Sequence, residues 1–294
     1  MSLSFILSQI MNGLMLGATY SLVAIGFSLY FGVMNVCVFC VGDIAILSAF
    51  NVLGLLLLGI FGTSSTIGVI LVISLAAMLT GLFMMILYRA VIKPLEWKGS
   101  HMPLLSTIAA GLTLREAIAI FFPRGRNPQV FPEIIPIAHR DFVILGVLAV
   151  TLIVLYIFIN KTKLGISVQA VAQNKDAAIM IGVNTRVVIY TTLVIGGVVL
   201  GIGGALLGSY YGMIRFDMGI NYGLIGFSAA VVGGLGNIYG AVIGGMLLAM
   251  VEVFMFAFVP GGTAYATIAS FVVVVLLIIT RPEGIMGKKK IENV

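Results

Sequence analysis

Few charged side chains fall well inside the long apolar runs of this sequence, and they are the first candidates for chemistry. They are Asp43, Arg115, Glu116 and Glu252. A charge in the middle of a bilayer costs about 2.5–3.5 kcal/mol on insertion scales, so such a group faces protein, water or an opposite charge. Arg115 and Glu116 are adjacent, and neighbours at i and i+1 do not share a helix face. They are therefore expected to find different partners, and Glu252 is the expected cross-helix partner of Arg115. Structural pairing and a solute or ion site are both open for these groups. An ion-coupled carrier would need a relay of acids and histidines, and none is visible. His101 and His139 fall in expected loops. Cys37 and Cys40 form a C-x-x-C in apolar surroundings without further ligands nearby, which points to packing rather than redox or metal chemistry. The sequence supports no metal site and no cofactor. It has no phosphate-cradling G-x-x-x-x-G-K-[ST], no H-E-x-x-H and no G-x-S-x-G. No nucleophile–base pair can be argued, so an enzyme is not expected.

The elements that hold these groups are set by composition. Of 294 residues 61% are hydrophobic and 9% charged, against roughly 25% charged in soluble domains. The expected fold is all-α: a polytopic membrane protein forming one transmembrane domain over residues 1–294. The apolar runs are long and continuous, unlike the ~10-residue alternation of a membrane barrel. Eight runs are long enough to cross a bilayer, near 5–31, 38–60, 66–91, 103–122, 142–159, 188–210, 238–259 and 264–280. A weaker, Gly-rich element near 222–235 reads as a short or broken helix in the C-terminal half, tolerated where protein or a cavity covers it. The prediction is eight to nine transmembrane helices. The N-terminal run lacks a basic n-region and a small-x-small cleavage site, so it reads as a retained first span.

Glycines recur at spacing four, as at Gly13/Gly17, Gly197/Gly201, Gly204/Gly208/Gly212 and Gly236/Gly240/Gly244. That spacing lines small residues along one helix face and lets backbones approach. The doublets Gly233-Gly234 and Gly244-Gly245 favour irregular backbone of the kind that lines solute sites in transporters.

Charge orients the array. Arg89, Lys93 and Lys98 lie in one connection; Lys161, Lys163, Lys175 and Arg186 in a polar island at about 160–187; Arg281 and Lys288 to Lys290 in the tail. These are eleven of the sixteen basic residues. The intervening connections hold Arg124, Arg126, Arg140 and Arg215. The positive-inside rule places the first group in the cytoplasm and 123–141 outside, with the N-terminus outside and the C-terminus cytoplasmic. The excess of positive charge is then a topology signal, not a nucleic-acid footprint.

The island carries Asp176-Ala177-Ala178, then three residues, then Gly182. This spacing resembles the E-A-A-x-x-x-G coupling motif of bacterial ABC import permeases, with Asp for Glu. QAVAQNKDAAIMIGVN, from Gln169, looks like the coupling loop of the branched-chain amino acid permease family. NGLMLGATYSLVAIGF from residue 12, PLLSTIAAGL from 103, FSAAVVGGLGNIYGAVIGG from 227 and RPEGIMG from 281 resemble further segments of that family. The matches run in order over nearly the whole chain. The resemblance implies a multi-pass permease of the bacterial inner membrane, in a lipid bilayer, working with a second permease subunit, two cytoplasmic ATP-binding subunits and a periplasmic solute-binding protein. It assigns Gln173, Asp176, Ala177, Ala178 and Gly182 to ATPase coupling. It points to Val38, Cys40, Val41, Gly42, Asp43, Phe227, Gly233 and Gly234 for the substrate pathway, and to branched-chain or related hydrophobic amino acids as cargo.

One segment departs from the pattern. Where the family commonly has N-x-A-H-G-[DE], this chain aligns GVMNVCVFCVGD over 32–43, so that Val38 stands for Asn, Cys40 for Ala and Val41 for His. Gly42 and Asp43 persist. The exchange leaves urea, short amides or another small polar solute open as cargo. A self-sufficient channel or ion-coupled carrier is the alternative from another class.

Overall fold

The apolar runs become helices in the expected order. The computed structural model describes residues 3–59, 66–98, 101–123, 125–132, 140–259 and 261–287. Arg124, His139 and Lys288 to Lys290, used above for orientation or as loop residues, lie outside them. The helices are α1 (Leu3–Met34), α2 (Val41–Leu57), α3 (Thr66–Leu87), α4 (His101–Phe121), α5 (Arg140–Lys161), α6 (Lys163–Gln173), α7 (Lys175–Met180), α8 (Thr185–Tyr211), α9 (Met218–Gly233), α10 (Ile238–Phe258) and α11 (Gly262–Thr280). A π turn over Tyr88–Ile92 and a 3-10 turn over Lys93–Lys98 extend α3. His101 thus opens a helix instead of lying in a loop.

Among the described residues, six helices are long and apolar enough to cross a membrane, and α2, α9 and the Tyr265–Thr280 part of α11 are shorter apolar helices. These nine correspond to the eight expected spans and the short ninth. At about 1.5 Å per residue α2 and α9 are roughly 25 Å long, less than the ~30 Å hydrocarbon core. Both are sheltered: α2 packs on α8, α9 and α3, and α9 on α10, α1 and α2. α1 forms the centre, against α10, α8 and α9, with Ala18, Leu22, Val23, Ala24 and Ile25 fully buried.

The four-spaced glycines are contact points, except Gly212, which has open space around it and ends α8 at φ 67°. A Cβ on Gly201 would press on Ala77 of α3, one on Gly204 on the Ala45 carbonyl of α2, and one on Gly208 on the Phe131 ring. Gly240 and Gly244 meet α9 at Gly233 and Ala229. The expected irregularity divides accordingly. Gly233-Gly234 ends α9, with Gly234 at φ 106°. Gly244-Gly245 lies inside regular α10, where a Cβ on Gly245 would meet Ser21. Absent side chains there serve approach, not a break.

A second discontinuity was not foreseen. The expected second span starts at 38, but residues 35–38 are non-helical and α2 begins at Val41. Asn35 takes φ 53° as the chain leaves α1.

The two ends of the bundle are distinct. At one end the Gln129–Val130 strand pairs antiparallel with Met213–Ile214. At the other, Asn35, α6 residues Gln169 and Gln173, Asn237 and Met286 line one cavity of about 530 Å³. There the tail is tied to the end of α9: the Ile285 N–H donates to the Val232 carbonyl at 2.8 Å and the Met286 N–H to that of Gly233 at 3.0 Å. The island, the 234–237 link and the tail therefore share one end, with α9 as a full connection between the ends.

Candidate functional site

Asp43 is the third residue of α2 and Arg115 sits on α4. Arg115 Nε donates to Asp43 Oδ1 at 2.6 Å and a terminal nitrogen to Oδ2 at 3.2 Å. This two-point geometry is the strong form of a carboxylate–guanidinium contact. Asp43 is 2% exposed and Arg115 15%. A carboxylate in the first turn is also favoured by the helix dipole of α2.

Glycines make the pair fit. A Cβ on Gly111 would strike Asp43 Oδ2, one on Gly219 would strike Oδ1, and one on Gly42 would strike the backbone of Gly219 and Gly223. The first turns of α2 and α9 thus lie backbone to backbone. Just below, the Phe39 N–H donates to Thr107 Oγ1 at 3.2 Å. Phe39 packs on Phe227 with ring centroids 5.2 Å apart, and Phe227 on Phe27 at 5.8 Å. A buried ion pair, two helix N-termini and an aromatic cluster therefore adjoin where residues 35–40 interrupt the helices.

This overturns the pairing expected for Arg115. Glu252 instead accepts from the Tyr20 hydroxyl at 2.8 Å and is 6% exposed. Tyr20 stacks edge-on against Tyr222 at 5.9 Å, and Tyr222 against Tyr211 at 6.2 Å. Glu116 faces away from Arg115, 61% exposed, and lies 3.6 Å from Arg126. The adjacent charges do take different partners.

The other sequence-derived positions divide. Val38, Cys40 and Val41 are fully buried, so the aliphatic replacements there change packing and not an exposed wall. Phe227 lies against Phe39 in the interrupting stretch, and Gly42 and Asp43 are brought together with Arg115. Gly233 and Gly234 are not; they lie at the other end of α9, against Gly240 and the tail. Gly111, Gly219, Gly223 and Tyr20 were missed, because a glycine's neighbour across an interface has no local sequence signal. Among the described residues no group of three or more His, Cys, Asp or Glu side chains could hold a metal ion.

The island is not a loop but two short helices. Thr162 caps α6 by accepting from the Gly165 N–H at 3.0 Å, and Asn174 caps α7 by accepting from the Ala177 N–H at 3.0 Å. Gly182, at φ 86°, closes α7: the Val183 N–H donates to the Ala178 carbonyl at 3.0 Å. The spacing from Asp176 to Gly182 is thus one capped turn and its left-handed stop. Ala178 is buried against the rest of the chain, while Gln173, Asp176 and Ala177 are exposed. Ile179, Met180 and Ile181 project outward, Met180 88% exposed.

Residues 9–280 match the family of permease components of branched-chain amino acid transport systems. The high-affinity branched-chain amino acid transport system permease protein BraD of Pseudomonas aeruginosa is 28% identical over 307 residues, covering 98% of each chain. The corresponding LivH proteins of Escherichia coli K12 and Salmonella typhimurium are 28% identical over 313 residues, covering 99% of this chain and 98% of theirs. Among solved structures, PsaBC from Streptococcus pneumoniae in complex with Fab aligns over 95% of this chain and 92% of its own, with TM-score 0.51 and 13% identity. That likeness concerns the fold alone.

Proposed function

We propose that this chain, which belongs to the family of branched-chain amino acid transport system permease components, is a permease subunit of an ABC importer for branched-chain or related hydrophobic amino acids. Members of the family are membrane transport components, not enzymes. The observation that carries the reading is the α6–α7 helix pair, hereafter the hairpin for its turn at Asn174. It is capped at Thr162 and Asn174, stopped at Gly182, and offers Ile179, Met180 and Ile181 to a partner. Three apolar side chains at a polar tip are poor design for solvent and good design for a groove on another protein.

In this reading the hairpin end is cytoplasmic and docks an ATPase. Two ATPase subunits drive two permeases, and a periplasmic binding protein delivers solute at the end where Gln129–Val130 meets Met213–Ile214. The N-terminus is outside and the C-terminus cytoplasmic, in the bacterial inner membrane. Residues 1–294 act as one domain with the coupling loop at about 160–187. Gln173, Asp176, Ala177, Ala178 and Gly182 serve coupling. Gly42, Asp43 and Phe227 border the pathway.

Reconstitution tests this. The chain, its second permease, the ATPases and the binding protein in proteoliposomes should take up leucine only with ATP. Replacing Asp176-Ala177-Ala178 with bulky charged residues should abolish co-purification of the ATPase. ATP-independent uptake by the chain alone, or undiminished ATPase binding by the variant, refutes the reading.

A further inference from the structure

We propose that Asp43 and Arg115 recognise the two charged ends of a zwitterionic solute, and that their mutual ion pair is the resting, ligand-free form of that site. The inference rests on the permease reading and assigns it a specificity-determining pair.

Three features support it. First, the pair lies where the chain is already opened, beside the non-helical 35–38 stretch and at the adjoining first turns of α2 and α9. Helix N-termini carry about half a positive charge each. With the pair itself neutral, the locality is left net positive by about one charge, which favours a ligand carboxylate. Interrupted helices that aim N-termini at anionic groups are a recurring transporter device. Second, Arg115 is held by a sparsely packed element. α4 packs on α2 and on the turns after α3, and on little else among the described elements. Arg115 is also the more exposed partner. Asp43, by contrast, is fixed between Gly42, Gly219 and Gly111. Outward movement of α4 would draw the guanidinium from the carboxylate and leave two unsatisfied charges. Third, the apolar surroundings suit an aliphatic side chain: Phe27, Phe39 and Phe227 pack together next to the break.

A zwitterion fits this arrangement. Its ammonium satisfies Asp43 and its carboxylate satisfies Arg115, so separation of the pair leaves neither charge bare. A solute with one charge satisfies one partner and strands the other, which is strongly unfavourable in a dry site. Discrimination thus follows from electrostatics without a close-fitting pocket.

The test uses the complete assembly in proteoliposomes with internal ATP. If the wild type shows no ATP-driven leucine uptake, the permease reading itself has failed. If it does, Asp43→Asn and Arg115→Gln should each lower uptake about tenfold or more, since each leaves its partner uncompensated. The double variant Asp43→Asn/Arg115→Gln decides between roles. A purely structural pair is replaceable by a neutral pair, so uptake within about twofold of wild type overturns the proposal; continued loss, with ATPase co-purification intact, supports it. Should the variants fail to assemble, the wild-type complex without binding protein is melted with millimolar leucine, 3-methylbutylamine or 4-methylpentanoate. A rise in Tm with leucine alone supports a two-ended site. No rise, or an equal rise with either single-charge analogue, refutes it.

Discussion

Adding one methyl group should have opposite effects at two glycines of this chain. At Gly42 a Cβ would land on the Gly219 carbonyl oxygen and the Gly223 nitrogen, and 2.6 Å from Gly223 Cα. Carbon atoms rest at about 3.5 Å, so that last contact alone requires α9 to retreat by about 0.9 Å, and the two closer ones require more. The obstacle is backbone on both sides, which cannot rotate away. Overpacking of this kind costs about 2 kcal/mol, or about 5 °C in Tm for a chain of this size. At Gly146, in the second turn of α5, a Cβ meets nothing within 4 Å. Alanine there gains about 0.5–1 kcal/mol of helix preference, a rise of about 2 °C. The assay is thermal unfolding of the purified chain in one detergent, with Gly42→Ala and Gly146→Ala in parallel. If Gly42→Ala melts within a degree of the wild type, the backbone-to-backbone approach of α2 and α9 is wrong. If both variants fall equally, the loss reflects glycine in general and not this interface.

Two further outcomes follow from the same geometry. Tyr20→Phe keeps the ring but removes the hydroxyl donated to Glu252, leaving a buried carboxylate short of a partner at a cost of about 1.5–3 kcal/mol. In a Glu252→Leu background the same change should cost almost nothing; equal losses in both backgrounds, read in a double-mutant cycle of melting temperatures, would show that the pair does not interact. Cysteines introduced as Lys175→Cys and Val130→Cys should label from opposite faces of oriented vesicles, and labelling from one face would overturn the assignment of the two ends.

What the sequence revealed and what it hid divide along a physical line. Helices were legible because a bilayer imposes about 20 apolar residues per crossing, and the two short ones survive because other helices cover them. The island's helices were legible in principle. Thr162, Asn174 and Asn184 each stand where a cap belongs, and Gly182 where a left-handed stop belongs. The interruption at 35–40 was less so: Asn35, a residue that tolerates the left-handed region, stands where α1 stops, but the Val-Cys-Val-Phe-Cys that follows contains neither glycine nor proline and is apolar throughout. Partner choice was hidden for another reason. Asp43, Glu252 and Arg115 are all charges within apolar runs, and sequence spacing says which could meet a guanidinium but not which helix lies beside it.

The assignment of partners changes how force entering at α7 would spread. α7 and α6 pack on α8, and α8 packs on α2, where Gly204 rests on the Ala45 carbonyl. α9 is joined to α10 through Gly233, Gly240 and Gly244, and to the tail through Ile285 and Met286, while α1 packs on α8, α9 and α10 alike. The first turns of α2 and α9 touch at Gly42, Gly219 and Gly223. A shift of α8 would therefore act on α2 directly, and on α9 through α2 and α1. The contact of α2 with α9 holds Asp43, and α4 contributes Arg115. Had Arg115 paired with Glu252, the charges would lie beside α10, which a movement of α8 would reach through α1. Pairing with Asp43 puts the ion pair on α2, which α8 contacts directly, so a movement entering at α7 would reach it through one helix fewer.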